Sequence, residues 1–307
     1  MSSTTDHHTY ADTISLECDR VCVKVNPVGA SLVGLRMAGW EMVPQVAADQ
    51  RVGRYVGSVI APWPNRIEDG HYSFNGEDYQ LECNETQRKN ALHGFSAEQQ
   101  WDVVARTSDR VDMAVTTGGV DGYPWEVSLQ VTYQAVPDGV LVNLVATNMS
   151  GDPAPFGAAF HPYFSFPEGP PSLWRLTMPA QVVVVPDRER LLPDEDTDVA
   201  SGGVDFRDGA LLEQDFIDHA FGGFVGGTRV KLADPNGRTI HVDASTLCPW
   251  IQVHKPTDGP LDGSVVLEPQ TSPPNAFCSG RDVIVLGPHE GVAIDWRISA
   301  DVGGGAR

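Results

Sequence analysis

Strict alternation of apolar and polar residues recurs from one end of the chain to the other, while the three-to-four-residue spacing of an amphipathic helix is nearly absent. In Glu126 to Gln134, Val127, Leu129, Val131 and Tyr133 fall on one side of an extended chain, and Ser128, Gln130, Thr132 and Gln134 on the other. Such a period of two belongs to a strand with one face in a core and one in water, because successive side chains of a strand point to opposite faces. The run from Val140 to Asn148 returns after Pro137-Asp138-Gly139 and completes a hairpin. Thr228 to Val242 predicts a second hairpin around Asp234-Pro235-Asn236-Gly237, and Tyr72-Ser73-Phe74 with Tyr79-Gln80-Leu81 a third around Asn75-Gly76. Val292 to Ile298 reads as a final strand exposing Asp295 and Arg297.

These signals predict an all-β protein, a single large antiparallel β-sandwich in one domain spanning residues 1–307. Residues 186–224, rich in Asp and Gly and without alternation, are expected to form loops along the sandwich, and residues 1–13 and 302–307 to be flexible ends. In 307 residues, a hydrophobic content of 41% suffices for a core of this size. The formal net charge of −20 excludes nucleic acid and anionic membranes as partners, since both call for basic patches. No stretch offers the roughly 20 apolar residues of a membrane helix, and residues 1–13 carry no signal-peptide pattern, so a cytoplasmic location is expected. Five cysteines, Cys18, Cys22, Cys83, Cys248 and Cys278, without a CxxC pair, fit reduced structural thiols. Monomer and weak homodimer both remain open.

Chemistry is sought beside Gly and Pro turns, where a rigid strand presents a side chain from its end. Five residues stand there: Arg66 in "PWPNRI", His93 in "NALHGF", His161 in "FGAAFHPYF", Asp218 in "DFIDHAF" and Glu268 in "VVLEPQT". Each has a plain structural use as well. Arg66 suits a surface ion pair, His93 a loop brace, His161 a core position among aromatics, Asp218 a turn cap, and Glu268 a buried ion pair with an arginine. Glu268 follows Val265-Val266-Leu267, and a carboxylate at such a strand end must be paired or have a raised pKa. His161 likewise ends an apolar run, and Pro162 after it removes a backbone donor. His93, His161 and Glu268 also have the donor types of a two-His-one-carboxylate metal site, but no HxH or HExxH spacing accompanies them. His7-His8 fall in the expected flexible start. Gly222-Gly223 and Gly226-Gly227 lack the strand–helix setting of a nucleotide loop, and a Gly-x-Ser-x-Gly elbow is absent. Trp40, Trp63, Trp125 and Trp250 are candidates either for stacking on a sugar or for core packing. Arg54, Arg88 and Lys89 are candidates for an anionic substituent or for ion pairs with neighbours.

In this order, "NRI", "G-x-Y-x-F-x-G-x-x-Y-x-L", "NALHG", "HPYF", "DHAF" and "EPQT" resemble the aldose 1-epimerase (mutarotase) family over about residues 50–298, with wording closest to its shorter bacterial members. The resemblance implies the galactose mutarotase-like supersandwich and interconversion of the anomers of a free aldohexose or substituted aldose, with no cofactor and no metal. By motif it makes Glu268 the general base and His161 the general acid. Asn65, Arg66, His93 and Asp218 then hold sugar hydroxyls or the ring oxygen. Ring opening requires removal of the C1 hydroxyl proton and protonation of the ring oxygen, so one base and one acid suffice; an imidazolium favoured by nearby carboxylates is the expected donor. Two other uses of such a sandwich are non-catalytic carbohydrate binding, which needs no acid–base pair, and glycoside hydrolysis or lysis, which needs a second carboxylate beside Glu268, with Asp218 as the candidate.

Overall fold

In a computed structural model of the chain, the structure describes residues 13–44, 55–224, 227–257, 259 and 261–302. His7, His8, Arg54, Gly226 and nearly all of the two expected flexible ends lie outside the described residues.

Two large antiparallel sheets carry the fold. The first has nine strands in the order Asp102–Arg106, Arg110–Val120, Tyr123–Val136, Gly139–Asn148, Gly291–Asp301, Thr239–Ala244, Thr228–Ala233, Arg175–Thr177 and Ala210–Leu211. It contains the first two hairpins read from the sequence, with Val131 opposite Leu144 and Val230 opposite Val242. The third forms too, pairing His71–Phe74 with Glu77–Gln80. Tyr123, Trp125, Val127, Leu129, Val131, Tyr133 and Ala135 are all buried, so the alternation marks the face turned to the core. Each large apolar side chain fully buried there contributes about 1.5–3 kcal/mol.

The second sheet runs Pro193–Asp198, Val182–Pro186, Asp218–Gly222, Trp250–His254, Val265–Gln270, Ala159–Phe160 and Val59–Ile60, with Tyr163–Phe164 also paired to Val265–Gln270. A four-stranded sheet, Ile14–Cys18 to Trp40–Glu41, joins the same core. Among the described residues no helix is long and apolar enough to cross a membrane.

The two sheets correct the reading of residues 186–224 as loops, because Pro193–Asp198 and Asp218–Gly222 are strands of the second and Ala210–Leu211 of the first. The sequence Pro193-Asp194-Glu195-Asp196-Thr197-Asp198 has poor β propensity, yet it is an exposed edge, where charge discourages pairing with another chain. Asp218–Gly222 lacks alternation because both of its faces are covered. Glu268 is not at a strand end either; it lies within Val265–Gln270, a strand buried at every position. There Val265 and Leu267 enter the main core, whereas Val266, Glu268 and Gln270 take the opposite face.

Two Leu→Ala changes in one hairpin separate its faces. Leu129→Ala, at a fully buried position, is expected to cost about 2–5 kcal/mol, and Leu141→Ala, at a position 38% exposed, less than about 0.5 kcal/mol. Urea unfolding followed by circular dichroism measures both.

Candidate active site

The second face of the eight-stranded sheet is the floor of a cavity of about 250 Å³, enough for one pyranose ring. Asp218, Gln252 and Glu268 reach it from three adjacent strands, Asp218 standing opposite His254 and Gln252 opposite Glu268. His161 enters from just after Ala159–Phe160, where Pro162 ends the strand, with its backbone N–H on Ser58 O at 3.1 Å and its carbonyl accepting from Gly57 N at 2.9 Å.

Asn65, Arg66 and His93 form the wall. Arg66–Glu68 pairs with Asn90–Leu92, which brings together residues that the sequence separates by a hairpin. Asn65 and His93 both adopt left-handed backbone, at φ 56° and 60°. They hold each other: the His93 N–H donates to Asn65 O at 2.9 Å, and the Asn65 N–H donates to His93 Nδ1 at 3.1 Å. Because Nδ1 is an acceptor, the proton of neutral His93 sits on Nε2. Asn65 Oδ1 accepts from the Arg66 backbone N–H at 3.0 Å.

At the centre, His161 Nε2 lies 3.6 Å from Glu268 Oε2, and His93 Nδ1 3.9 Å from Glu268 Oε1. The imidazole of His161 stacks on Tyr163 at 5.4 Å and meets His93 edge-on at 5.3 Å. Asp218 Oδ1 accepts from Gln252 Nε2 at 2.6 Å and lies 3.8 Å from His254 Nδ1, while the half-buried His254 borders the opening. Glu268 Oε1 and His161 Nδ1 are buried with no hydrogen-bond partner, which leaves an acceptor and a ring nitrogen unsatisfied at the site.

Burial dominates the electrostatics. It pushes Glu268 well above the usual carboxylate range, with the charge of Asp218 adding and Arg66 opposing. Burial also lowers His161 to about 4, with Asp218 opposing, and holds His93 well below its ordinary value. This corrects the expectation of an imidazolium favoured by nearby carboxylates: Asp218 acts in that sense, but loss of water outweighs it.

The six residues singled out from the sequence, Asn65, Arg66, His93, His161, Asp218 and Glu268, thus share one cavity. Four others lining it, Tyr163, Leu191, Gln252 and His254, were not singled out. Tyr163 stands inside the quoted "HPYF". Gln252 and His254 occupy alternate positions of an apolar strand, a pattern that in the sequence looks the same as a solvent face. Arg88 also lines the cavity, half-exposed and donating to Glu85 Oε1 at 3.2 Å. None of the four tryptophans weighed for stacking lines it. Trp40, Trp63 and Trp125 are core residues, and Trp250 lies under Arg281 with its N–H on Asp282 Oδ2.

His93, His161 and Glu268 offer donor atoms within 4.8 Å of one another. As a metal set they fit poorly. The lone pair of His93 Nδ1 is taken by the Asn65 N–H, which leaves Nε2 protonated and a donor.

An all-β sandwich of large antiparallel sheets, with a buried carboxyl beside an imidazole in a cavity of one of them, has the galactose mutarotase-like fold. The chain belongs to the aldose 1-epimerase family, whose model matches residues 12–299. It is 29% identical to the uncharacterized protein YihR of Escherichia coli over 92% of this chain and 91% of that one, and 26% identical to an Escherichia coli aldose 1-epimerase over 58% and 55%. Among solved structures it superposes on a GalM/aldose epimerase homologue from C. elegans with a TM-score of 0.85 at 18% identity, covering 95% of this chain and 99% of the other. It also superposes on a galactose 1-epimerase from Lactobacillus acidophilus with a TM-score of 0.80 at 22% identity, covering 95% of each. At those identities the structural likeness speaks for the fold alone.

The raised pKa of Glu268 has a consequence for stability. A folded-state value above the unfolded one makes a contribution that is complete below the ordinary value of 4.5 and is lost as pH rises through the folded value. Glu268→Gln, which mimics the protonated form, is therefore expected to unfold at a higher temperature than the wild type at pH 8, with the gap closing towards pH 5. Thermal unfolding at the two pH values measures it.

Proposed function

We propose that the protein is an isomerase that interconverts the α and β anomers of a free aldohexose or substituted aldose by opening and reclosing the ring. The observation that carries this reading is the 3.6 Å approach of His161 Nε2 to Glu268 Oε2 on the floor of a cavity rimmed by hydrogen-bonding side chains. Membership of the aldose 1-epimerase family supports it.

Glu268 accepts the C1 hydroxyl proton, and His161 donates one to the ring oxygen. The C1–O5 bond breaks as the C1 carbonyl forms, rotation about C1–C2 follows, and reclosure on the other face returns both protons. Arg66 and the Nε2–H of His93 donate to sugar oxygens, while Asp218 accepts from a hydroxyl. None of these steps needs a redox partner.

Protonation of the pair follows from its surroundings. A carboxyl with a neutral imidazole and a carboxylate with an imidazolium contain the same single proton. Burial favours the first, and the second is the reactive form. Arg66 lowers the pKa of Glu268 and so biases the shared proton towards the reactive arrangement, whereas Asp218 raises the pKa of both partners. The pair titrates as a unit, and its one-proton state is lost to added acid at one end and to added base at the other.

Polarimetry of freshly dissolved α-glucose and α-galactose tests the reaction. Glu268→Gln and His161→Asn are each expected to lower kcat by at least about 10²-fold, and the double variant by far less than the product of the two. In the wild type, kcat/KM is expected to be bell-shaped in pH, its limbs belonging to the pair. Wild-type-like turnover in either single variant, folded by circular dichroism, would remove these roles.

Metal independence is part of the same proposal. Exhaustive EDTA treatment is expected to leave the mutarotation rate unchanged; loss of the rate with recovery on adding Zn²⁺ or Mn²⁺ would overturn the acid–base assignment.

A further inference from the structure

The guanidinium of Arg66 has an ordered partner outside the cavity. Its Nε donates to Glu85 Oε2 at 2.9 Å and its Nη2 to Glu85 Oε1 at 3.1 Å, so one edge of the fork is committed to the carboxylate. The remaining nitrogen, Nη1, meets Asn65 Oδ1 at a long 3.4 Å and is the edge left for a ligand. Glu85 is itself held in place. Asn90 Nδ2 donates to its Oε2 at 3.0 Å and to the Arg190 carbonyl at 2.9 Å, Arg88 Nη1 donates to its Oε1 at 3.2 Å, and the backbones of Glu85 and Asn90 form a bridge. Its side chain is 13% exposed; burial alone would raise its pKa, and the bonds from Arg66, Asn90 and Arg88 bring it below the usual value.

We propose that Glu85 is a positioning residue that fixes the Arg66 guanidinium so that only its Nη1 edge reaches a sugar oxygen, and offsets enough of its charge to keep Glu268 an effective base. Without that carboxylate, the full charge of Arg66 would act on a nearly water-free Glu268, where an unscreened cation strongly favours ionisation. The other charged or titratable groups lining the cavity with Glu268 are His93 and Arg88 on the wall, His161 and Tyr163 beside it, and Asp218 and His254 from the neighbouring strands. Of these only Arg88 also bonds Glu85, through one hydrogen bond from a half-exposed side chain, whereas Arg66 gives two from a buried one. The proposal rests on the mutarotase reading for its kinetic arm only.

The experiment follows the Glu268 carboxyl by ¹³C NMR titration in the free protein, alongside KM and kcat by polarimetry, in Glu85→Gln, Glu85→Asp, Arg66→Met and the Glu85→Gln/Arg66→Met pair. Glu85→Gln is expected to raise KM about tenfold and to move the Glu268 midpoint down by about one pH unit. Glu85→Asp keeps the charge but is too short to hold both Nε and Nη2, so KM should rise while the midpoint stays near that of the wild type. With Arg66 replaced by Met, adding Glu85→Gln should change neither quantity. An unchanged midpoint and KM in Glu85→Gln would overturn the proposal, and so would equal changes in the Arg66→Met background. If Glu85→Gln does not fold, Glu85→Asp decides, an unchanged KM counting against the positioning role. A wild type inactive in polarimetry would defeat the mutarotase reading, and the titration would still decide whether Glu85 shields Glu268.

Discussion

The site depends on a carboxyl group placed inside a sheet. Glu268 is 1% exposed, and the backbone around it is paired with Trp250–His254 on one side and with Ala159–Phe160 and Tyr163–Phe164 on the other. A carboxyl in that position loses most of its water, which costs several kcal/mol if it ionises without partners. The side chain's own bonds do not hold it there, since Oε1 has none. Val265 and Leu267 do so by anchoring the strand in the main core from its other face. The packing energy of the sandwich therefore maintains an unfavourable environment for one charge, and that environment holds the carboxyl well above the usual carboxylate range.

The loops carry a second, smaller cost. Left-handed backbone at a residue other than glycine costs about 1 kcal/mol, and both Asn65 and His93 adopt it. The two reciprocal hydrogen bonds between them offset that cost. They also fix which nitrogen of His93 bears the proton, so a strained wall yields a donor of defined direction. Arg66, next in the chain, inherits its position from the same turn and from Glu85.

How much of this was legible in the sequence depended on which face of a strand meets water. Tyr123–Val136 was plain because one face is core and the other solvent. Val265–Gln270 and Asp218–Gly222 lie in a sheet covered on both sides, where period-two alternation disappears, and the edge Pro193–Asp198 is so acidic that its composition hides the strand. The site residues at turns, at prolines or in motifs could be picked out, and all six share the cavity. Gln252 and His254 could not, because polar residues at alternate positions of a strand look like a solvent face until that face is known to floor a cavity. The direction of proton bias was also hidden. It depends on how little water reaches Glu268 and His161, a property of the three-dimensional packing with no counterpart in the order of residues.

That bias fits a reaction that must run equally well from either anomer. In the proposed ring opening Glu268 takes a proton and His161 gives one, and on closure the roles reverse, so the pair ends each turnover as it began. A pair locked in either arrangement of its single proton would hinder one half of the cycle, since each pKa unit of mismatch corresponds to about 1.4 kcal/mol. Burial pulls the proton towards the carboxyl, while Arg66 opposes it by lowering the pKa of Glu268, and Asp218 raises both partners. These opposing influences come from different elements, the sheet for the first and the wall for the second. The balance can therefore be tuned by Arg66 without disturbing the strand that holds Glu268.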